Sequence, residues 1–273
     1  INYKGVHNMY KAVICDLDGT LLNSKHTISE YTKTIISKIH AKGVKVFIAT
    51  GRHHKDAVAF KRMLGLDSFL ITSNGAKIHD EHDNEIFSHN IPADLAREII
   101  SHPIGEEFHR SIYQNDLWFV EEELEEAEEF HKESGFTHIK KDFNEVAGEE
   151  VTKFFYICND SEKLRTFEEN IIEKFKGKLN VTLSQINCLE LMQRGVSKGT
   201  AIKEILTREG ISIDEAVAFG DGLNDLDMLS TVGKGLIMGN CNYKLQESLP
   251  DHEVIETNDE DGVAKYLAEL FLD

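Results

Sequence analysis

The sequence predicts an α/β fold, a doubly wound and mostly parallel sheet interrupted by an inserted α+β segment. Three observations predict it. Short apolar runs alternate with segments of helical spacing at both ends of the chain, the middle third breaks that alternation, and acidic, glycine-containing turns follow several of the strand-like runs.

Taken in order, residues 11–15 are a run of strand formers. Thr27-x-x-Glu30 is a capping-box pattern ahead of Ile28, Ile35, Ile36 and Ile39, and Gly43 stops that helix. Residues 44–49 read as the next strand, 54–64 as a helix ended by Gly65, and 68–72 as a third strand. Asn74-Gly75 signals a hairpin of type I′, and Asp83-Asn84 a second small one. The rhythm then changes. Residues 111–119, 152–158 and 180–184 look like strands and 161–175 like a helix, while residues 121–129 hold seven Glu, read as a solvated helix face. Alternation returns with a strand at 188–192, a helix from Ser197 stopped by Gly210, a strand at 215–219, a helix at 224–229, strands at 235–238 and 253–256, and a last helix at 260–270. Residues 9–84 with 191–273 are therefore expected to form the core, and 85–190 the insertion. Met9 is read as the natural start, with residues 1–8 outside the fold.

Composition narrows the function. At roughly 150 residues per domain, 273 residues allow one large or two modest domains. Lys plus Arg total 30 against 48 Asp plus Glu, so a net charge of −18 disfavours nucleic acid and anionic membrane as partners. No run approaches the ~18 apolar residues of a membrane span, and the opening residues lack the apolar stretch of a leader, so a cytoplasmic location is expected. Cys15, Cys158, Cys188 and Cys241 are widely separated, which favours buried reduced thiols over a zinc site.

In an open parallel sheet, ligands bind beyond the carboxyl ends of the strands. There the sequence places Asp16-Leu-Asp18-Gly19-Thr20, Thr50-Gly51-Arg52, Ser73-Asn74-Gly75 and Gly220-Asp221-Gly222-Leu223-Asn224-Asp225. Asp16, Asp18, Asp221 and Asp225 cannot all stay ionised together without a cation, and an all-oxygen set suits Mg²⁺. Lys198 stands at a helix start, where the dipole gives it nothing, so an anion in front of it is the better explanation. Such a group of residues suits a phosphoryl group and a carboxylate nucleophile.

Asp16-Leu-Asp18-Gly-Thr20, Thr50-Gly-Arg52, Lys198 and Gly220-Asp221-Gly-Leu-Asn224-Asp225 resemble the four motifs of the haloacid dehalogenase (HAD) superfamily of phosphohydrolases, which has a Rossmann-like core. An insertion between the second and third motifs resembles the Cof-type branch, as do Ser73-Asn-Gly-Ala76, Gly195-Val-Ser-Lys-Gly199 and Asn258-Asp-Glu-Asp-Gly-Val-Ala264. Thr50-Gly-Arg-His-His54 and Gly233-Lys-Gly-Leu-Ile-Met-Gly239 resemble bacterial members acting on sugar phosphates and pyridoxal phosphate. The resemblance implies Mg²⁺-dependent hydrolysis of a small phosphorylated metabolite through an aspartyl-phosphate on Asp16, with Asp18 as general acid–base. It further implies Mg²⁺ on the Asp16 carboxylate, the Asp18 carbonyl and Asp221, supported by Asp225, and phosphate contacts from Thr50, Gly51 and Lys198. Asn224 is expected to orient Lys198 or the phosphate.

Arg52 is read as a grip on the substrate or a partner of a nearby acid, and Asn74 as a turn residue or a contact under the cap. His53 and His54 are expected on the surface, and His79 and His82 in turns. Trp118, Phe119, Phe155 and Tyr156 are candidates for the substrate pocket. Two rival readings remain: a serine hydrolase using Ser197 in Gly-x-Ser-x-Gly with His252, and a non-catalytic phosphate sensor.

Overall fold

The computed structural model describes residues 10–102, 108–124 and 131–272, and their strands form two sheets. In chain order the first strands are β1 (Ala12–Cys15), β2 (Lys45–Ala49), β3 (Leu70–Thr72), β4 (Lys77–His79) and β5 (Glu85–Ser88). Then come β6 (His109–Gln114), β7 (Leu117–Val120), β8 (Ile139–Lys140), β9 (Lys153–Ile157), β10 (Leu179–Gln185) and β11 (Cys188–Gln193). The last are β12 (Ala216–Gly220), β13 (Lys234–Ile237) and β14 (Glu253–Val254). One sheet has the order β14-β13-β12-β1-β2-β3-β4-β5, parallel from β14 to β3 and antiparallel across the last two pairs. The other has the order β10-β11-β9-β6-β7-β8 and is antiparallel except for β7 with β8.

Side-chain alternation along each central strand feeds two apolar layers. Val13, Val46, Ile48 and Phe219 pack with α1 (Glu30–Ala41), α2 (His54–Met63) and α8 (Gly262–Phe271). Ile14, Phe47, Ala49 and Ala218 pack on the opposite face with α5 (Lys198–Glu209) and α6 (Leu226–Thr231). The doubly wound α/β core is as expected. In the second sheet, Ile112, Phe119, Phe154, Tyr156 and Leu191 face α3 (Ala93–Ile100) and α4 (Ser161–Lys174). The alternate residues Tyr113, Trp118 and Phe155 form a separate cluster on the other face.

Several expectations need correction. Helix α1 is capped by Ser29, whose hydroxyl accepts from the Thr32 amide at 3.0 Å. Thr27 instead closes a turn onto Asn23 Oδ1, so the Thr27 capping box does not form. Residues 111–119 are two strands rather than one, because Asn115 takes a left-handed conformation (φ 53°) that its short polar side chain tolerates and reverses the chain between Gln114 and Leu117. The connection at Asn74-Gly75 is a single 3₁₀ turn, Ser73–Gly75, between the paired Thr72 and Lys77, instead of a two-residue type I′ turn. The sheets also divide later than residues 85 and 190: β5 pairs with β4 in the large sheet, and β11 pairs with β9 in the small one. Helices α3 and α7 (Tyr243–Ser248) were not foreseen. The acidic stretch 121–129 falls largely outside the described residues; within it, Glu121 pairs with Arg110.

Candidate active site

The loops at 16–20, 50–52, 73–75 and 220–225 each leave the carboxyl end of a strand in the large sheet, and parallel pairing sets the ends of β12, β1, β2 and β3 side by side. Residue pairing of Cys15 with Phe219 and with Ile48 puts Asp16 between the segments starting at Gly220 and Ala49. Asp16, Asp221 and Asp225 each bring a carboxylate oxygen within 4.8 Å of the others. Lys198, wholly buried at the first position of α5, reaches Asp16 Oδ1 at 2.8 Å and Asp225 Oδ1 at 2.6 Å. The anion inferred in front of this lysine is thus, in this structure, a pair of carboxylates. Asp225 Oδ2 accepts from the Asp221 and Gly222 amides at 3.0 and 2.9 Å, which leaves Asp225 fully engaged. Asp221 Oδ1 accepts from Thr20 Oγ1 at 2.8 Å.

The electrostatics follow from that crowding. Burial raises the Asp16 carboxyl well above its usual range, Lys198 opposes the rise, and the neighbouring aspartates add to it. Burial and the Asp225 charge push Asp221 up to about 7. Burial opposes the Lys198 charge, but Asp16 and Asp225 more than offset it and hold its ammonium above the ordinary value. Gly19, with φ 74°, lies so close that a Cβ there would collide with the Asp221 carboxylate. Three carboxylates against one ammonium leave two negative charges in an all-oxygen pocket, and a hard divalent cation fits that deficit.

The neighbouring loop behaves differently. Arg52 is buried and forms a fork onto Asp18, Nε to Oδ2 at 2.8 Å and Nη2 to Oδ1 at 2.6 Å, while Nη1 holds Asp56 Oδ2 at 2.9 Å. Of its two expected roles, the structure places Arg52 against acids. Thr50 is wholly buried, and its Oγ1 accepts from the Arg52 amide at 3.1 Å. Asn74 is buried and donates to Glu190 Oε2, and its own Oδ1 accepts from Asn224 Nδ2 at 3.1 Å. Asn224 therefore meets Asn74, while Lys198 is held by Asp16 and Asp225. The Asn224 Oδ1 is buried without a hydrogen-bond partner among the described residues.

Above this edge lies a cavity of about 640 Å³, walled below by Asp16, Asp18 and Asp221 and above by Tyr113, Trp118 and Phe155. Trp118 and Phe155 belong to the pocket, whereas Phe119 and Tyr156, one residue along their strands, face the helices of the insertion. Sequence reading missed Lys153 and Glu190, a buried pair at 2.6 Å on the cavity face of β9 and β11. Lys153 also donates to the Gly51 carbonyl at 2.7 Å. Period-2 alternation from Phe155 and Cys188 would have found both.

His82 sits exposed in a turn as expected, but the expectations for His53, His54 and His79 fail. His53 is buried, caps α2, and stacks on Phe136 at 4.7 Å, so burial lowers its pKa to about 4. His79 is buried in β4 and stacks on half-buried His54 at 3.6 Å. Neither is a free surface or turn residue, because α2 lies over the strand pair. The serine-hydrolase arrangement does not assemble: Ser197 Oγ caps α5 and donates to Asp227 Oδ2, while His252 Nε2 faces the Leu229 carbonyl. All four cysteines are free, Cys15 and Cys188 buried and the other two half-buried. Among the described residues no helix is long and apolar enough to cross a membrane.

A carboxylate-edged parallel sheet beneath a second, separately wound sheet defines a capped, Rossmann-like α/β protein with an acidic site. The chain belongs to the haloacid dehalogenase-like hydrolases, whose family model matches residues 13–267. It is 37% identical over 264 residues to a protein of Buchnera aphidicola subsp. Baizongia pistaciae, covering 96% of this chain and 99% of that one. It is 31% identical over 259 residues to the HMP-PP phosphatase of Yersinia pseudotuberculosis, covering 95% and 94%. The structure of a haloacid dehalogenase-like hydrolase from B. subtilis superposes with a TM-score of 0.86 at 29% identity, covering 96% of this chain and 100% of that chain. The protein is thus a phosphatase of this family.

Proposed function

We propose that the protein hydrolyses small phosphorylated metabolites with the help of Mg²⁺, by way of an aspartyl-phosphate on Asp16. The observation that carries this reading is the buried cluster of Asp16, Asp221, Asp225 and Lys198, of which Asp16 and Asp221 face the cavity. Asp16, the Asp18 carbonyl and Asp221 would hold the ion, with Asp225 fixing Lys198 and the loop amides behind them. When bound, Mg²⁺ neutralises phosphate charge and favours the ionised form of the carboxylates.

Within that frame Asp16 attacks phosphorus, and Asp18, two residues on, protonates the leaving oxygen and later takes a proton from water. Thr50, the Gly51 amide and Lys198 hold phosphoryl oxygens, and Asn74 and Asn224 border the leaving group. Arg52 holds Asp18. The residues are displaced from a purely structural reading by their burial: four charged groups at one strand edge cost too much desolvation to be kept for folding alone. The aromatic wall and the Lys153–Glu190 pair suit a compact leaving group with an apolar face and a polar edge. Sugar phosphates and pyridoxal phosphate are of that size, and the name of the Yersinia relative supports a small phosphorylated substrate.

The test is a panel of sugar phosphates, pyridoxal phosphate, flavin mononucleotide and nucleotides, assayed after EDTA treatment and again with Mg²⁺ restored. Phosphate release that disappears on chelation and returns with Mg²⁺ is expected. Full activity in EDTA would contradict the metal assignment, and binding without turnover would favour the sensor reading.

A further inference from the structure

Asp56 takes no part in the chemistry just described, yet its position is hard to explain by folding alone. It is wholly buried in the first turn of α2, four residues beyond Arg52, and both of its oxygens are engaged by residues of the insertion. Oδ2 accepts from His131 Nδ1 at 2.8 Å as well as from Arg52 Nη1 at 2.9 Å, and Oδ1 accepts from Ser134 Oγ. Burial opposes ionisation of Asp56, but the His131 and Arg52 contacts more than offset it and keep the carboxyl below its usual range. His131 is itself buried and set edge-on to Trp118 at 4.9 Å, on the cavity face of the inserted sheet.

These contacts form one continuous chain, from His131 and Ser134 in the insertion, through Asp56 and Arg52, to both oxygens of Asp18. A guanidinium is planar and presents its donors in a fixed fork. With Nη1 tied to Asp56 and the ring of Phe60 5.2 Å from its carbon, Arg52 can offer Asp18 only the Nε–Nη2 edge, and that edge fixes the plane of the Asp18 carboxylate.

We infer that Asp56, held by His131 and Ser134, is a positioning residue that aims Arg52 at Asp18, so that seating of the cap sets the general acid–base. This rests on the roles proposed above for Asp16 and Asp18. In the first half-reaction an Asp16 oxygen bonds to phosphorus and the phosphorus–leaving-oxygen bond breaks with its electron pair going to that oxygen; Asp18, held by Arg52 at one oxygen and carrying a proton on the other once that oxygen has left the fork, supplies the proton that makes it an alcohol. In the second half, water oxygen bonds to phosphorus, the Asp16–phosphorus bond breaks, and the Asp18 carboxylate takes a proton from the water. A misaimed Asp18 therefore hurts a poor leaving group at the first step. A leaving group that departs unprotonated, such as p-nitrophenolate, is spared there.

The experiment compares first-turnover rates on glycerol phosphate and p-nitrophenyl phosphate in wild type, His131→Ala, Ser134→Ala and His131→Asn, with Mg²⁺ present and folding checked by circular dichroism. Because general acid catalysis is worth about 10²–10⁴-fold, His131→Ala is expected to slow the glycerol ester roughly tenfold or more while the p-nitrophenolate burst stays within about threefold of wild type. His131→Asn, which keeps a donor for Asp56, is expected to restore most of the loss. Ser134→Ala, a smaller change, is expected to shift the ratio in the same direction. Equal slowing of both esters in the folded variants, or no slowing of either, overturns the inference. If wild type itself gives no burst and no acid-stable phosphoenzyme, the reading on Asp16 fails instead.

Discussion

The two walls of the cavity are built in different ways. The lower wall consists of loop residues that lie close to one another in sequence, Asp16 with Asp18, Gly51 with Arg52, and Asp221 with Asn224, brought together by parallel strand pairing. The upper wall consists of alternate residues from separate strands, Tyr113, Trp118, Lys153, Phe155 and Glu190, brought together by antiparallel register. The lower wall concentrates charge, and on the proposed function it does the chemistry on phosphate. The upper wall offers shape, aromatic surface and the Lys153–Glu190 pair, and on the same proposal it distinguishes one leaving group from another. Reaction and selectivity would then be written in different parts of the chain, joined through the Asp56–Arg52 link.

The sharpest separation comes from Asp16→Asn. Loss of a nucleophile from a coupled site costs roughly 10⁴-fold or more in turnover, with an unchanged circular dichroism spectrum, since the amide is isosteric. Comparable residual activity in a steady-state assay would remove Asp16 from the lower wall's chemistry. On the upper wall, Lys153→Met leaves Glu190 buried without its cation, and breaking such a pair costs roughly 3–5 kcal/mol. Urea unfolding should show this loss, and Lys153→Met with Glu190→Leu together should recover most of it.

His53 joins the walls, as a core residue stacked on Phe136 of the insertion. Its pKa is lowered by burial to about 4 from the ordinary 6.5, so below pH 6.5 the unfolded chain binds a proton that the folded chain refuses. Stability should therefore fall as the pH drops through that window, by about 2 kcal/mol between pH 7 and pH 5 from this group alone. His53→Gln should flatten that limb in urea titrations at the two pH values, and an unaltered slope would show that His53 is protonated in the folded protein. The smallest effect lies away from both walls: Ser29→Ala removes the cap of α1 and should lower stability by about 1 kcal/mol without changing turnover, as thermal unfolding beside a rate measurement would show.

The same contrast explains what could be read from the sequence. Asp16, Asp221, Asp225 and Lys198 were legible because turn chemistry and strand ends are local signals, and the parallel sheet that unites them follows from the alternation of elements. The core strands and the helix from Lys198 to Glu209 followed from periodicity and glycine stops. The upper wall was less legible because its members depend on a register that one sequence does not specify: Trp118 and Phe119 are adjacent, yet one lines the cavity and the other faces α3 and α4. His53 looked like a surface residue because two adjacent histidines at a helix start carry no sign of the aromatic layer that covers them. Asp56 had a local signal in its i,i+4 spacing from Arg52, but its link to His131 spans 75 residues and is purely tertiary.

On the proposed function Asp16, and no other side chain, carries the phosphoryl group during turnover. Protein mixed with Mg²⁺ and p-nitrophenyl phosphate, quenched in acid within the burst and digested with pepsin, should yield one peptide heavier by the mass of a phosphoryl group, with the addition on Asp16. Addition at Ser197, or turnover with no modified peptide at the height of the burst, would contradict it.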